Sequence, residues 1–161
     1  MDNGCGPESL QFALRRDGRR PKLRELAADC KIQRDNGAWT SSMIFALEKR
    51  GYHAWVEEDV TWERVAELLP TNHLFISWWT VFFPSGESEG GGAHWSVITK
   101  ASETKVWLWD QLYERIVAYP KATIDAFWLS PEIYGGILHD EVRLMIVSPK
   151  IPTKVKKGVK K

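Results

Sequence analysis

Asp2-Asn3-Gly4-Cys5-Gly6-Pro7-Glu8-Ser9-Leu10-Gln11-Phe12-Ala13-Leu14 places a cysteine two residues ahead of a proline, and then Leu10, Ala13 and Leu14 at helical spacing. Pro7 reads as the first position of a helix, where its missing N–H costs nothing and its fixed φ suits the first turn. Cys5 then sits at the helix mouth. Unpaired backbone N–H groups and the positive end of the helix dipole face its sulfur there, which favours thiolate over thiol. Two readings stand side by side. Cys5 is a small buried hydrophobe, the default for a lone cysteine, or it is a nucleophile that the flanking Gly4 and Gly6 leave open to a substrate.

The chain has 161 residues, enough for one domain with a substantial core. Nine tryptophans, six phenylalanines and four tyrosines supply an aromatic interior. Net charge is +1, but residues 150–161 hold six lysines and no acid, which leaves −5 on residues 1–149. The expected organisation is one domain over 1–149 and a lysine-rich, flexible tail over 150–161. An acidic body argues against nucleic acid as the partner. Two cysteines do not make a disulfide framework, no apolar run approaches a membrane span, and no signal peptide is recognisable. The expected location is therefore the cytoplasm, with both thiols reduced.

Periodicity predicts helices over 7–17, 21–30, 40–50, 61–69 and 121–129. Gly18 closes the first and Gly51 the third, and Cys30 shares the buried face of Leu23, Leu26 and Ala27. Strands are predicted over 52–56, 74–81, 93–101, 105–110, 116–119 and 142–147. The apolar run at 74–81 suits a strand covered on both faces. A polar, glycine-rich loop at 84–92 is placed to arch over a cleft. Helices first and an antiparallel sheet afterwards make an α+β protein.

Of the four histidines, His94 opens a strand straight after the glycine-rich loop, where a side chain is both held and accessible. His53, His73 and His139 have polar neighbours and read as surface or locally hydrogen-bonded groups. A turn centred near Glu103 pairs residue 94 with 112, so Asp110 falls within two positions of His94 on the same face. A carboxylate that accepts from an imidazole fixes its tautomer and stabilises its cation, the Cys-His-Asp logic of acyl transfer. The alternative is that Asp110 merely ends a strand. No cysteine or histidine pair has metal-ligand spacing and no phosphate-binding loop is present, so no metal and no cofactor is expected.

Cys5-Gly6-Pro7 with its helix, Gly37, Gly51-Tyr52, His94-Trp95-Ser96-Val97-Ile98 and Asp110, in that order, resemble the bacteriocin-processing double-glycine cysteine peptidases, a branch of the papain-like superfamily. The resemblance implies a papain-like fold with N-terminal helices packed on an antiparallel sheet. It also implies Cys5 as nucleophile, His94 as general base and acid, and Asp110 as orienting carboxylate, acting on a peptide or protein substrate. Two departures stand out. The family's glutamine about six residues before the cysteine has no counterpart among the four residues preceding Cys5, so Asn3 becomes the oxyanion-hole candidate. Gln111 replaces the proline that commonly follows the acid. Gly4, Gly6, Trp95 and Gln111 are the substrate-binding candidates. Besides a peptidase, the residues allow acyl transfer through the same triad. They also allow a non-enzymatic peptide-binding module, for which the absent glutamine and the aromatic cluster of Trp78, Trp79, Phe82 and Phe83 would speak, although at least half of that cluster reads as core.

Overall fold

A computed structural model describes residues 4–32, 37–79, 93–128, 130–134, 137–141 and 143–148, with the backbone alone at 79, 130–134, 137–141 and 143. In order the elements are α1 (Cys5–Arg16), α2 (Leu23–Asp29), α3 (Thr40–Glu48), β1 (His53–Glu58), α4 (Trp62–Leu68), β2 (His73–Trp79), β3 (Ala93–Ala101) and β4 (Lys105–Asp110). A 3₁₀ turn (Gln111–Tyr113), β5 (Arg115–Pro120), α5 (Lys121–Phe127), β6 (Ser130–Tyr134), β7 (Ile137–Glu141) and β8 (Arg143–Ser148) follow. The α+β class is as expected. The loop at 84–92, the 80–81 end of the expected strand and the 150–161 tail lie outside the described residues, as do Asn3, Phe82, Phe83 and the side chains of Trp79 and His139.

Six strands form one antiparallel sheet in the order β1-β8-β2-β3-β4-β5. The last strand in sequence thus inserts between the first two. Alternation along the strands sends apolar side chains to both faces. Phe75, Val97, Met145 and Val147 meet Leu10, Leu14, Leu26, Met43 and Leu47 of α1, α2 and α3. On the other face Leu74, Ile76, Ile98, Leu108, Leu144 and Ile146 meet Val65 and Leu68 of α4 and Ile124 of α5. Each such side chain contributes about 1.5–3 kcal/mol on burial. The double cover explains why β2 reads as a continuous apolar run.

Helix ends follow the chemistry of their residues. α1 opens at Cys5, two residues before Pro7, which still lies in the first turn where an N–H is not needed. At its other end Gly18 takes φ +76°. Its N–H reaches Arg15 O, and Arg19 N–H reaches Leu14 O, both at 3.0 Å. The same motif ends α3, with Gly51 at φ +79°. Thr61 caps α4 through its side chain, which accepts from Arg64 N–H. The small hairpin β6–β7 has no counterpart among the expected strands. The two residues between its strands are Gly135 and Gly136, a dipeptide that is itself a hairpin signal.

Candidate active site

α1 rests against β3, and this contact brings the three expected residues together. Ser9, fully buried one turn after Cys5, donates its hydroxyl to Trp95 O at 3.1 Å. Gly6 turns inward rather than leaving the sulfur uncluttered. A Cβ on it would lie 2.5 Å from Ala38 Cβ, 3.3 Å from Met43 Sδ and 3.6 Å from Trp95 Cδ1, so only glycine lets the helix come this close. Cys5 is half-buried and free, and within hydrogen-bonding reach of the His94 imidazole.

His94, the second residue of β3, pairs with Trp78 on β2. Its Nε2 lies 2.9 Å from Oδ1 of Asp110, the last residue of β4. Both are buried, at 5% and 1% exposure. Asp110 also caps the 3₁₀ turn, where Oδ1 accepts from Leu112 N–H at 3.0 Å, and its Oδ2 accepts from the Tyr119 hydroxyl at 2.8 Å. Burial alone would raise the Asp110 carboxyl, but the bonds from His94, Tyr119 and Leu112 outweigh it and hold the group below its ordinary range. Burial likewise opposes protonation of His94. The hydrogen bonds and charges of Asp110 and Cys5 overcome it and lift the imidazole to about 9. The His94 ring is thereby held between the Cys5 sulfur and the Asp110 carboxylate.

The helix mouth offers donors beside the sulfur. Glu8 N–H closes the first helical bond on Gly4 O at 2.9 Å, and Pro7 has no N–H, so those of Cys5 and Gly6 have no helical carbonyl to bond. Gln111 hydrogen-bonds Glu8, tying the turn after Asp110 to the cysteine helix. Burial, with Glu114 adding to it, raises the Glu8 carboxyl against that bond.

Other expected positions are placed differently. Trp95 is a packing residue at 7% exposure, and its indole N–H donates to Ala38 O at 2.8 Å. Of the aromatic cluster, Trp78 takes the core position: it is 6% exposed and donates to Ser96 Oγ at 3.0 Å. Its ring belongs to the core on the sheet face of α4 and α5. His53 stacks on Trp55, and His73 Nε2 sits 2.8 Å from Asp17 Oδ1. Cys30 is fully buried, and loss of solvent pushes its thiol up to about 12. Sequence reasoning missed Tyr119 and Ser9. Among the described residues no group of three or more His, Cys, Asp or Glu is placed to hold a metal ion, and no helix is long and apolar enough to cross a membrane.

No protein-family model and no curated protein matches the sequence. Solved structures do match its backbone. The peptidase domain of Streptococcus ComA, a bi-functional ABC transporter of a quorum-sensing pathway, superposes with a TM-score of 0.66 over 93% of this chain and 94% of that one. The fold is that of the double-glycine peptidase domains. A double-glycine-motif protease from an AMS/PCAT transporter, solved with its leader peptide, superposes at 0.61 over 91% of this chain and 84% of that one. The N-terminal C39-like peptidase domain of a toxin-secretion ATP-binding protein of Vibrio parahaemolyticus also gives 0.61, over 91% and 97%. Identities of 14%, 18% and 11% mean that this double-glycine peptidase fold is reached by a sequence very different from those of the domains that share it.

Proposed function

We propose that this protein is a papain-like cysteine peptidase that cleaves a peptide bond through Cys5, His94 and Asp110. The observation that carries the reading is the buried His94–Asp110 bond, with the imidazole also within reach of a cysteine at a helix N-terminus. The Cys5 sulfur attacks the substrate carbonyl carbon. Its proton resides on His94, which passes it to the departing amine, and a thioester remains on Cys5. Water then adds with His94 as base, releasing the acid and restoring the thiol. Asp110 holds the imidazole in orientation and stabilises its charge.

The N–H groups of Cys5 and Gly6 are the described donors for the oxyanion, with Asn3 as the side-chain candidate. One such donor is worth about 10²–10³ in rate. Gly4, next to Cys5 in the chain, and Gln111, bonded to Glu8 of the same helix, remain the substrate-binding candidates. Reaction through a free thiolate suits a reducing compartment, which supports the cytoplasm as location.

Because one of the fold's neighbours was solved with a leader peptide, a peptide with an internal Gly-Gly is the first substrate to test. Wild type should cut it and Cys5→Ala should not, as read by mass spectrometry. A product joined to an added amine would make the enzyme a transferase. Equal binding by wild type and Cys5→Ala, with the peptide uncut by either, would make it a binding module.

A further inference from the structure

We propose that Tyr119 is a positioning residue for the reaction above. Its hydroxyl clamps one oxygen of the Asp110 carboxylate while the other oxygen carries His94. The inference rests on that reading of the site and extends it to a residue two strands away.

Oδ1 of Asp110 serves both His94 Nε2, at 2.9 Å, and Leu112 N–H, at 3.0 Å. A carboxylate gripped only at Oδ1 can still turn about its Cβ–Cγ bond and swing out of the imidazole plane. The Tyr119 hydroxyl, 2.8 Å from Oδ2, removes that freedom. A hydrogen bond to a buried anion is also among the stronger ones available.

The clamp is itself supported. The Trp78 ring stands edge-on to both His94 and Tyr119, with centroids 6.0 and 5.3 Å away and interplanar angles of 69° and 66°. The bond from Trp78 to Ser96 Oγ fixes that wedge. Trp78 from β2, His94 and Ser96 from β3, Asp110 from β4 and Tyr119 from β5 thus form one connected layer across four adjacent strands. Cys5 faces His94 from α1, while Tyr113 and Arg115 act on the Tyr119 hydroxyl from the turn and from β5. Burial and the Asp110 charge push the Tyr119 phenol far above its usual range. Tyr119 is therefore a donor wherever the enzyme is folded.

Tyr119→Phe keeps the ring on Trp78 and deletes only the donor. Two readouts test it: the titration of the Asp110 carboxyl carbon by NMR, assigned through its loss in Asp110→Asn, and the rate of Cys5 alkylation by iodoacetamide. Losing a bond to the charged form should move the Asp110 titration up by about 1–2 pH units. Alkylation at neutral pH should slow by roughly tenfold, one pH unit's worth of free energy. Tyr113→Phe, at a 40% exposed tyrosine, should change neither. Adding Tyr119→Phe to Asp110→Asn should slow alkylation no further, because the clamp acts through the carboxylate.

An unmoved carboxyl titration overturns the proposal. So does a slowing that is equal with and without Asp110, or a lowered melting temperature with both readouts unchanged. Failure of the peptidase reading looks different. Wild-type Cys5 would then alkylate no faster than in His94→Ala, while the Asp110 titration would still respond to Tyr119.

Discussion

Gly6→Ala joins packing to reactivity in one substitution. The added methyl would lie 2.5 Å from Ala38 Cβ, where carbon atoms prefer about 3.5–4.0 Å, an overlap of roughly 1 Å. Ala38 Cβ is a stub on the backbone with no torsion that moves it aside. Its segment is also held by the 2.8 Å bond from Trp95 to Ala38 O. Relief must therefore come from α1 lifting off β3, against the Ser9 bond to Trp95 O. Overpacking of this kind costs about 1–3 kcal/mol, and at this chain length each kcal/mol lowers Tm by about 2–4 °C. A fall of roughly 2–12 °C is expected. The lift also carries Cys5 away from His94, and a displacement near 1 Å in a reacting group costs about 10² in rate. Melting by circular dichroism and Cys5 alkylation read the two effects on one sample. Gly18→Ala is the control: φ is +76° with open space around it, so the left-handed strain of about 1–2 kcal/mol falls at the far end of α1 and alkylation is unchanged. A Gly6→Ala protein that melts and alkylates like wild type would refute the close approach of α1 to the 37–39 segment.

Cys30, with its thiol pushed up to about 12, should stay unlabelled at neutral pH, so peptide mapping after mild alkylation should find the adduct on Cys5 alone. His94 binds its proton more tightly folded, at about 9, than unfolded, at about 6.5. Its contribution to stability is thus complete below about 6.5 and is lost as pH rises through 9, and cleavage should decline as pH passes about 9, where the folded imidazole gives up the proton needed by the leaving amine. Part of the lift comes from Cys5, so Cys5→Ala should lower the His94 pKa, read from the imidazole NMR titration. For Asp110 the sign reverses: its contribution is present above about 3.8 and is lost as pH falls through its depressed value.

The elements that were legible in the sequence are those whose signal is local. Gly18 and Gly51 announce their helix ends because few other residues take φ near +76° or +79° cheaply. Thr61 announces a cap, and the run at 74–79 announces a strand covered on both sides. Cys5 and His94 stand out by their neighbours. What stayed hidden depends on distant partners. Nothing in residues 143–148 says that they pair with both β1 and β2. Gly6 looks like free space for a substrate until Ala38 and Trp95 are placed beside it. Tyr119 lies opposite Val106 in register, yet its hydroxyl reaches along the sheet to Asp110, a contact that pairing arithmetic does not give.

The partnership of His94 and Asp110 depends on a single irregularity in the hairpin between them. At the turn the pairs are Ala101 with Val106 and Lys100 with Trp107. Continued without interruption, that register would set Asp110 opposite Val97, on the helical face with the α1 core, and His94 would point to the other side of the sheet. A bulge between Ile98 and Lys100 changes the pairs to Ile98 with Leu108 and Val97 with Trp109. Asp110 then falls across from Ser96 and shares the face of His94. A turn centred at Glu103 predicts this final register although the real turn is centred half a residue later, because the bulge absorbs the difference. Thr99, the extra residue, donates its hydroxyl to Trp107 O at 3.1 Å, which holds the irregularity in place. One inserted residue thereby decides which side of the sheet the carboxylate faces, an outcome consistent with the frequency of bulges beside reactive sites.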